Sequence, residues 1–269
     1  MSDSSRVRIG QTSFLQSLAI QRRVIHGLVL REILTRYGRH NIGFLWLFIE
    51  PMLFSVGIAI LWTYTGLSKG SISAAGFALT GYSSLVLWRN TVNKMAGAAS
   101  SNKGLLYHQQ VKILDIVLAR SLLEFASVTT SLVILTIVFQ QLGLMEMPSA
   151  PLTAVIGWFY LMWFVFGVGM IAAYLGVVSE LFDRIWHVAL YLTIPFTGAL
   201  SMTAWLPPEA QDILLWSPMV NAVEMLREGY FGTEIQVVYS IQYLVKANAG
   251  VTLLGLLLVR KIRRGLEDE

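Results

Sequence analysis

Three ionised side chains stand at depths where charge is costly. In "ILTRYGRHNIGFLWLFIEPMLF" (33–54), Glu50 lies seven residues into one of the most apolar stretches of the chain, with Pro51 directly after it. At ~1.5 Å per residue that places Glu50 about 10 Å past the start of a helical crossing. Arg89 lies at a similar depth from the inner end of a second stretch, and Glu124 is comparably far into a third. An unpaired charge there costs several kcal/mol, so such groups face a bundle interior and find partners. Two arrangements fit. In one, Arg89 neutralises Glu50 or Glu124 beside a polar path. In the other, Arg120 pairs locally with Glu124 four residues on, and Arg89 snorkels toward water.

The usual signatures of catalysis are missing together. There is no Walker-type phosphate loop and no Gly-x-Ser-x-Gly elbow, and His26, His40, His108 and His187 lack metal-ligand spacing. No metal site and no cofactor of this chain's own is expected. With no cysteine, disulfides, thiolate metal sites and Cys nucleophiles are excluded. Glu180, Asp183 and His187 form the one modest cluster an embedded sugar transferase would need. The net charge of +4 is modest, and nothing in its placement points to nucleic acid. The aromatics Trp46, Trp62, Tyr64, Trp88 and Trp205 fall near the ends of apolar stretches. They read either as interfacial belts or as the lining of a conduit on which sugar rings stack.

These groups need elements to carry them. The 269 residues are 55% hydrophobic and 13% charged, against about 25% charged for a soluble domain. A helical span takes ~20 mostly apolar residues. Candidate spans are 43–65, 74–94, 116–139, 152–175, 185–204 and, with Gln242, Lys246 and Asn248 in its outer half, 240–259. The second is rich in Gly, Ala, Ser and Thr, which suits a helix packed on protein or water rather than on acyl chains. Seven of the 20 Lys and Arg residues precede residue 43, where no secretory cleavage pattern is found, and four more close the chain in "RKIRRGLEDE". The positive-inside rule puts both termini in the cytoplasm and the crossings at an even number. Lys94, Lys103, Lys112 and Arg184 then fall in inner connections, while 140–150 has no Lys or Arg. The expectation is an all-α, multi-pass membrane protein of six transmembrane helices forming a single permease domain over 1–269.

Two further pieces flank the spans. Residues 12–40, inside a cytoplasmic segment 1–42, read as an amphipathic helix with Ile25, Val29, Ile33 and Tyr37 on one face. It suits the inner membrane surface, or else a soluble partner. Between spans five and six, "WLPPEAQDILLWSPMVNAVEMLREGYFG" (205–232) is too long for a simple loop. Pro207 and Ser217-Pro218 mark two helix starts, and Gly229 and Gly232 suit a helix stop. Two short stacked helices, re-entrant from the outer side, are expected. Non-helical backbone at that depth must face protein or a cavity. The tail 260–269 returns to the cytoplasm.

The opening stretch, extended back to "LREILTRYGRHNIGFLWLFIEPMLF", resembles the start of type-2 ABC exporter permeases: a basic, Tyr-containing helix end, Gly-x-x-Trp, then Glu-Pro inside the first span. "WSPMVNAVEMLREGYFG" is similar to the family's outer helix, with Pro218, Arg227, Tyr230 and Gly232 in place and Ser217 where Asn is commoner. "TGYSSLVLWRNTVNKMAGAASSNKGLLYHQQVKILDIVLARSLLE" (80–124) looks closer still to the capsular-polysaccharide (Kps-type) branch. O-antigen relatives usually carry Phe-Pro in the inner connection, where this chain has Tyr107-His108 and Val111-Lys112.

The resemblance implies half of a channel, completed by a second copy and powered by two separate cytoplasmic nucleotide-binding subunits that hold ATP and Mg. A coupling helix would lie over 100–110, with Ser100, Asn102, Lys103, Leu105, Leu106, Tyr107, His108 and Gln109 at the ATPase, and 179–187 as a second contact. Short helices 206–216 and 218–229 would form an outer gate with Pro207, Pro208, Trp216, Pro218 and Arg227. The implied cargo is an acidic capsule polymer on a lipid-linked anchor, passed to periplasmic and outer-membrane export components. Glu50, Trp62, Tyr64, Trp88, Arg89, Lys94 and Glu124 are candidates for its path, and Arg36, Tyr37 and Arg39 for the inner mouth. The inner bacterial membrane is the implied location. Pro51 would bend the first span, with Glu50 turned to a wet or protein-lined side. An exporter of O-antigen, teichoic acid or drugs, an embedded glycan-processing enzyme, and an ion-coupled transporter are the competing readings; the last lacks the inverted repeats it would need.

Overall fold

The computed structural model describes residues 14–37, 42–65, 72–102 and 111–267. Among them the chain is helical with short 3₁₀ turns and no strand. Its helices are α1 (Phe14–Tyr37), α2 (Ile42–Thr65), α3 (Ala74–Ala96), α4 (Ile113–Gln141), α5 (Pro151–Val178), α6 (Glu180–Leu192), α7 (Pro208–Leu215), α8 (Pro218–Phe231) and α9 (Ile241–Glu267). By length and apolar composition alone, three are fit to cross a membrane among the described residues: α4, α5 and Ile241–Ile262 of α9. Within α2, Ile49–Leu61 is an apolar stretch of described residues.

α5 is the hub, packed on α9, α8 and α3. Lipid tails are as apolar as Leu, so helices associate through close backbone approach and interhelical hydrogen bonds, and α5 uses both. A Cβ on Gly255 of α9 would come within 2.9 Å of the Gly167 carbonyl. Trp163 Nε1 donates to Thr252 Oγ1 at 2.9 Å, and Asn248 Nδ2 donates to the Tyr160 carbonyl at 3.0 Å. On its far side Trp158 Nε1 donates to Thr129 Oγ1 of α4 at 2.8 Å.

α3 is buried almost continuously from Ala75 to Trp88, as its small residues predict. Two of its hydroxyls are satisfied locally: Thr80 Oγ1 donates to Gly76 O at 3.0 Å and Ser84 Oγ to Thr80 O at 2.8 Å. Ser73 caps its start by accepting from Gly76 N at 3.1 Å. α2 leans on α3 and α1 lies along α4. Within α1, Val24, Ile25, Leu28, Val29 and Ile33 are half-buried at helical spacing, while Ile20, Leu30 and Leu34 on the opposite side are exposed.

Three expectations change. The stretch 185–204 is not one helix: α6 ends at Leu192, and 3₁₀ turns follow at Ile194–Thr197 and Thr203–Trp205. Pro195 has no N–H to continue the ladder, and Gly198 takes a left-handed φ of +71°. The 13 residues of α6 reach only ~20 Å at 1.5 Å each, short of the ~30 Å core. Secondly, of the two short helices expected to stack as a re-entrant pair, one alone is sunk into protein. α7 has no buried residue, whereas α8 is buried from Met219 to Arg227. Thirdly, Gly229 does not stop α8. It lies inside the helix, and the stop is Gly232 at φ +59°.

Candidate functional site

α2 and α3 bring Glu50 and Arg89 together. Arg89 Nη2 donates to Glu50 Oε1 at 2.9 Å, and the Tyr82 hydroxyl donates to the same oxygen at 2.7 Å. Tyr82 and Arg89 are seven residues apart, two turns along one face of α3, so they reach the carboxylate from either side. The Tyr82 ring stacks on Phe54, one turn beyond Glu50, with centroids 4.0 Å apart. Pro51 withholds the donor that the carbonyl of residue 47 would take in an unbroken helix, so α2 can bend beside its one carboxylate. Ser83, Asn90 and Ser131 join Glu50 and Pro51 around a pocket of about 20 Å³, room for a single water. The side chains of Arg89 and Glu50 remain 27% and 32% exposed.

The other candidates divide by burial. Glu124 is 1% exposed. Arg120 donates to the Lys94 carbonyl at 2.6 Å and approaches Glu32 of α1 at 3.5 Å. Trp88 is 7% exposed, stacked on Phe164 and donating to Thr193 Oγ1 at 3.2 Å. Tyr64, at 87%, and the Lys94 side chain are open. Arg39, Lys103, Leu105, Leu106, Tyr107, His108 and Gln109 lie outside the described residues, as do the side chains of Arg36, Tyr37, Trp62 and Ser100. Asn102 is 5% exposed and accepts from Arg31 Nη1 of α1 at 2.9 Å. Gln21 Nε2 of α1 donates to Asp115 Oδ1 at 3.0 Å. α1 therefore ties down both flanks of segment 103–110.

At the opposite end, Arg227 has 0% exposure. Its Nη1 donates to the carbonyls of Gly198 at 2.7 Å and Ser201 at 3.0 Å, its Nη2 donates to Ala199 O at 2.8 Å, and its guanidinium sits 4.0 Å over the Phe77 ring. One turn earlier, Glu224 accepts from Thr203 N at 2.9 Å and Thr203 Oγ1 at 3.1 Å. The broken stretch after α6 frees carbonyls, and α8 supplies the donors. Pro207 and Pro208 are exposed, Trp216 is 80% exposed, and Pro218 opens α8. The Tyr239 hydroxyl binds Glu228; burial and that carboxylate push the phenol up to about 12.

Sequence reasoning missed Tyr82 and Glu224. The spacing of seven between Tyr82 and Arg89 and of three between Glu224 and Arg227, each pair on one helix face, were the available signals. Exchanging the charges at the first site tests its pairing. Glu50→Arg and Arg89→Glu are each expected to lower the thermal midpoint of the purified protein, and the double exchange to regain at least half the loss. A double variant as unstable as the sum of the singles would dissolve the pair.

No family model matches the chain. It is 40% identical over 260 residues to the capsule polysaccharide export inner-membrane protein CtrC of Neisseria meningitidis, covering 96% of this chain and 98% of that protein. The chain belongs to the capsule polysaccharide export inner-membrane proteins. The BexB member of this family from Haemophilus influenzae is 38% identical over the same shares. The polysialic acid transport protein KpsM of Escherichia coli is 27% identical over 245 residues, 90% of this chain and 94% of that one. The likeness to the capsular branch read from residues 80–124 agrees with this membership.

Proposed function

We propose that this chain is the transmembrane subunit of an ATP-driven exporter moving acidic, lipid-linked capsular polysaccharide out across the inner membrane. Two copies enclose the path, and two separate ATPase subunits with ATP and Mg power it. The observation that carries this reading is the half-open pair that Arg89 of α3 makes with Glu50 of α2. That helix also leaves Leu53, Ile60 and Leu61 exposed, at 58%, 53% and 54%. An ion pair left open amid apolar surface is costly in lipid, and a second copy set against α2 would shield it from lipid while leaving its open side on the path between the two copies. α2, α3, α4, α5, the broken α6 region and α9 supply the six crossings, with both termini cytoplasmic. The irregular backbone after α6 is compatible with the bilayer because protein donors satisfy it. Segment 100–110 and the α5–α6 junction at Ser179 with the first turns of α6 face the ATPases, α7 and α8 form the outer gate, and periplasmic and outer-membrane export components take the polymer onward.

The test is a purified complex. A separate ATPase is expected to co-purify, and cells lacking the chain to accumulate polymer inside. Polymer movement driven by a proton gradient without ATP would refute the reading, as would full activity from a single copy. A further prediction concerns α1. Because α1 ties both flanks of 103–110, Arg31→Ala with Gln21→Ala is expected to leave ATP hydrolysis in place. Capsule export per ATP is expected to fall roughly tenfold, within the usual range of coupling free energies. Equal losses of hydrolysis and export would remove α1 from coupling.

A further inference from the structure

The Glu50–Arg89 pair is only partly closed. Arg89 Nη2 holds Glu50, Nε makes a long 3.5 Å contact to Asn90 Oδ1, and among the described residues Nη1 donates to nothing. A guanidinium is a planar fork that takes a carboxylate through two parallel bonds, and here one tine is engaged and the other is open. Glu50 meanwhile has a second donor in Tyr82, so it keeps a hydrogen bond if Arg89 swings away. The adjoining pocket of about 20 Å³ is too small for a sugar ring, so a ligand must come to the open side of Arg89.

We propose that Glu50 is a built-in competitor for Arg89: a passing sugar carboxylate displaces Glu50 from the guanidinium, and Tyr82 holds Glu50 until the anion leaves. A free arginine in a low-dielectric path would bind an acidic polymer tightly at every repeat and stall it. Conduction requires binding favourable enough to admit the cargo and weak enough to release it. Glu50 sets that balance, and a neutral glycan gains nothing from the exchange. This inference rests on the acidic-cargo reading above.

The experiment uses the permease with its ATPase in phosphatidylcholine nanodiscs, with end-labelled oligosialic acid as the probe and dextran of equal length as the neutral comparison. Binding is read by fluorescence anisotropy. Glu50→Gln is expected to bind the acidic probe about tenfold tighter, equivalent to ~1.4 kcal/mol. Glu50→Asp, a milder change more certain to assemble, should shift affinity the same way by less. Arg89→Gln should bind the acidic probe more weakly than wild type, its combination with Glu50→Gln should abolish the gain, and dextran binding should not move. Unchanged or weaker binding in both Glu50 variants, with wild-type binding intact, overturns the competitor and leaves the acidic-cargo reading standing. A shift that appears only when phosphatidylglycerol is added assigns the anion to a lipid headgroup and also overturns it. If the wild-type complex binds neither probe, the cargo reading falls and the competitor with it.

Discussion

Arg227→Met should leave a protein that cannot hold α8 and the broken stretch after α6 together. The substitution keeps length and apolar stem but removes every donor to the carbonyls of Gly198, Ala199 and Ser201. It also strips Glu224, 1% exposed, of its neighbouring positive charge. Breaking a buried charge arrangement by deleting one member costs about 3–5 kcal/mol, a large fraction of a ~5–15 kcal/mol total. Arg227→Lys should rescue little, because one ammonium on a flexible stem cannot span three carbonyls that a planar fork reaches at once. Thermal unfolding in detergent and limited proteolysis of 194–205 are the measurements. A midpoint within a degree or two of wild type would mean that these carbonyls find other donors. Glu224→Gln with Arg227→Met, which removes both charges, should be less damaging than Arg227→Met alone.

Gly229→Ala should be nearly as harmful through sterics alone. An added Cβ would stand 2.2 Å from Ala154 N and 2.5 Å from Ala154 Cα, and backbone atoms in a helix cannot step aside. The neighbourhood is fixed from other directions: Ala150 N donates to Gly229 O at 2.9 Å, and the Thr136 and Tyr230 hydroxyls lie 2.9 Å apart. Gly157, where a Cβ would meet Leu226 N at 2.6 Å, makes the other half of the α5–α8 contact. Adding a methyl to such a contact costs ~1–3 kcal/mol, occasionally more. The expected result is a fall in folded protein recovered from membranes, with Gly157→Ala behaving alike. Gly250→Ala is the comparison. Nothing lies within 4 Å of its Cβ position, and an exposed helical Gly→Ala change is neutral or stabilising by up to ~1 kcal/mol. If Gly229→Ala and Gly250→Ala behaved alike, α5 and α8 would not be in backbone contact.

Both predictions concern α8, where sequence and structure part most. Its start was readable, because Ser217 and Pro218 are helix-opening residues whatever surrounds them, and α8 begins at Pro218. Its depth was not. Met219, Val220, Val223 and Leu226 are as apolar as a lipid-facing helix requires, and α8 buries them all in protein. Hydropathy reports only that a side chain leaves water, and lipid and protein interior serve equally well. For the same reason, α3 was legible as protein-packed only because its residues are small and hydroxylated.

What the sequence determined by itself was local: an all-helical chain, the positions of its apolar stretches, the charges inside them, and the family likeness carried by Gly-x-x-Trp and Glu-Pro. Only the tertiary structure decided partners. Arg89 could have met Glu50 or Glu124 or snorkelled toward water, and it is Arg89 together with Tyr82 that reach Glu50. The stretch 185–204 read as one span because its apolar content is continuous. It breaks after Leu192, where Pro195 cannot continue the ladder, and the break persists because α8 brings Arg227 and Glu224 to the freed backbone groups. A helix supplies its own hydrogen bonds and so is written in consecutive residues. A broken one needs donors from elsewhere in the chain, and folding alone sets where those lie.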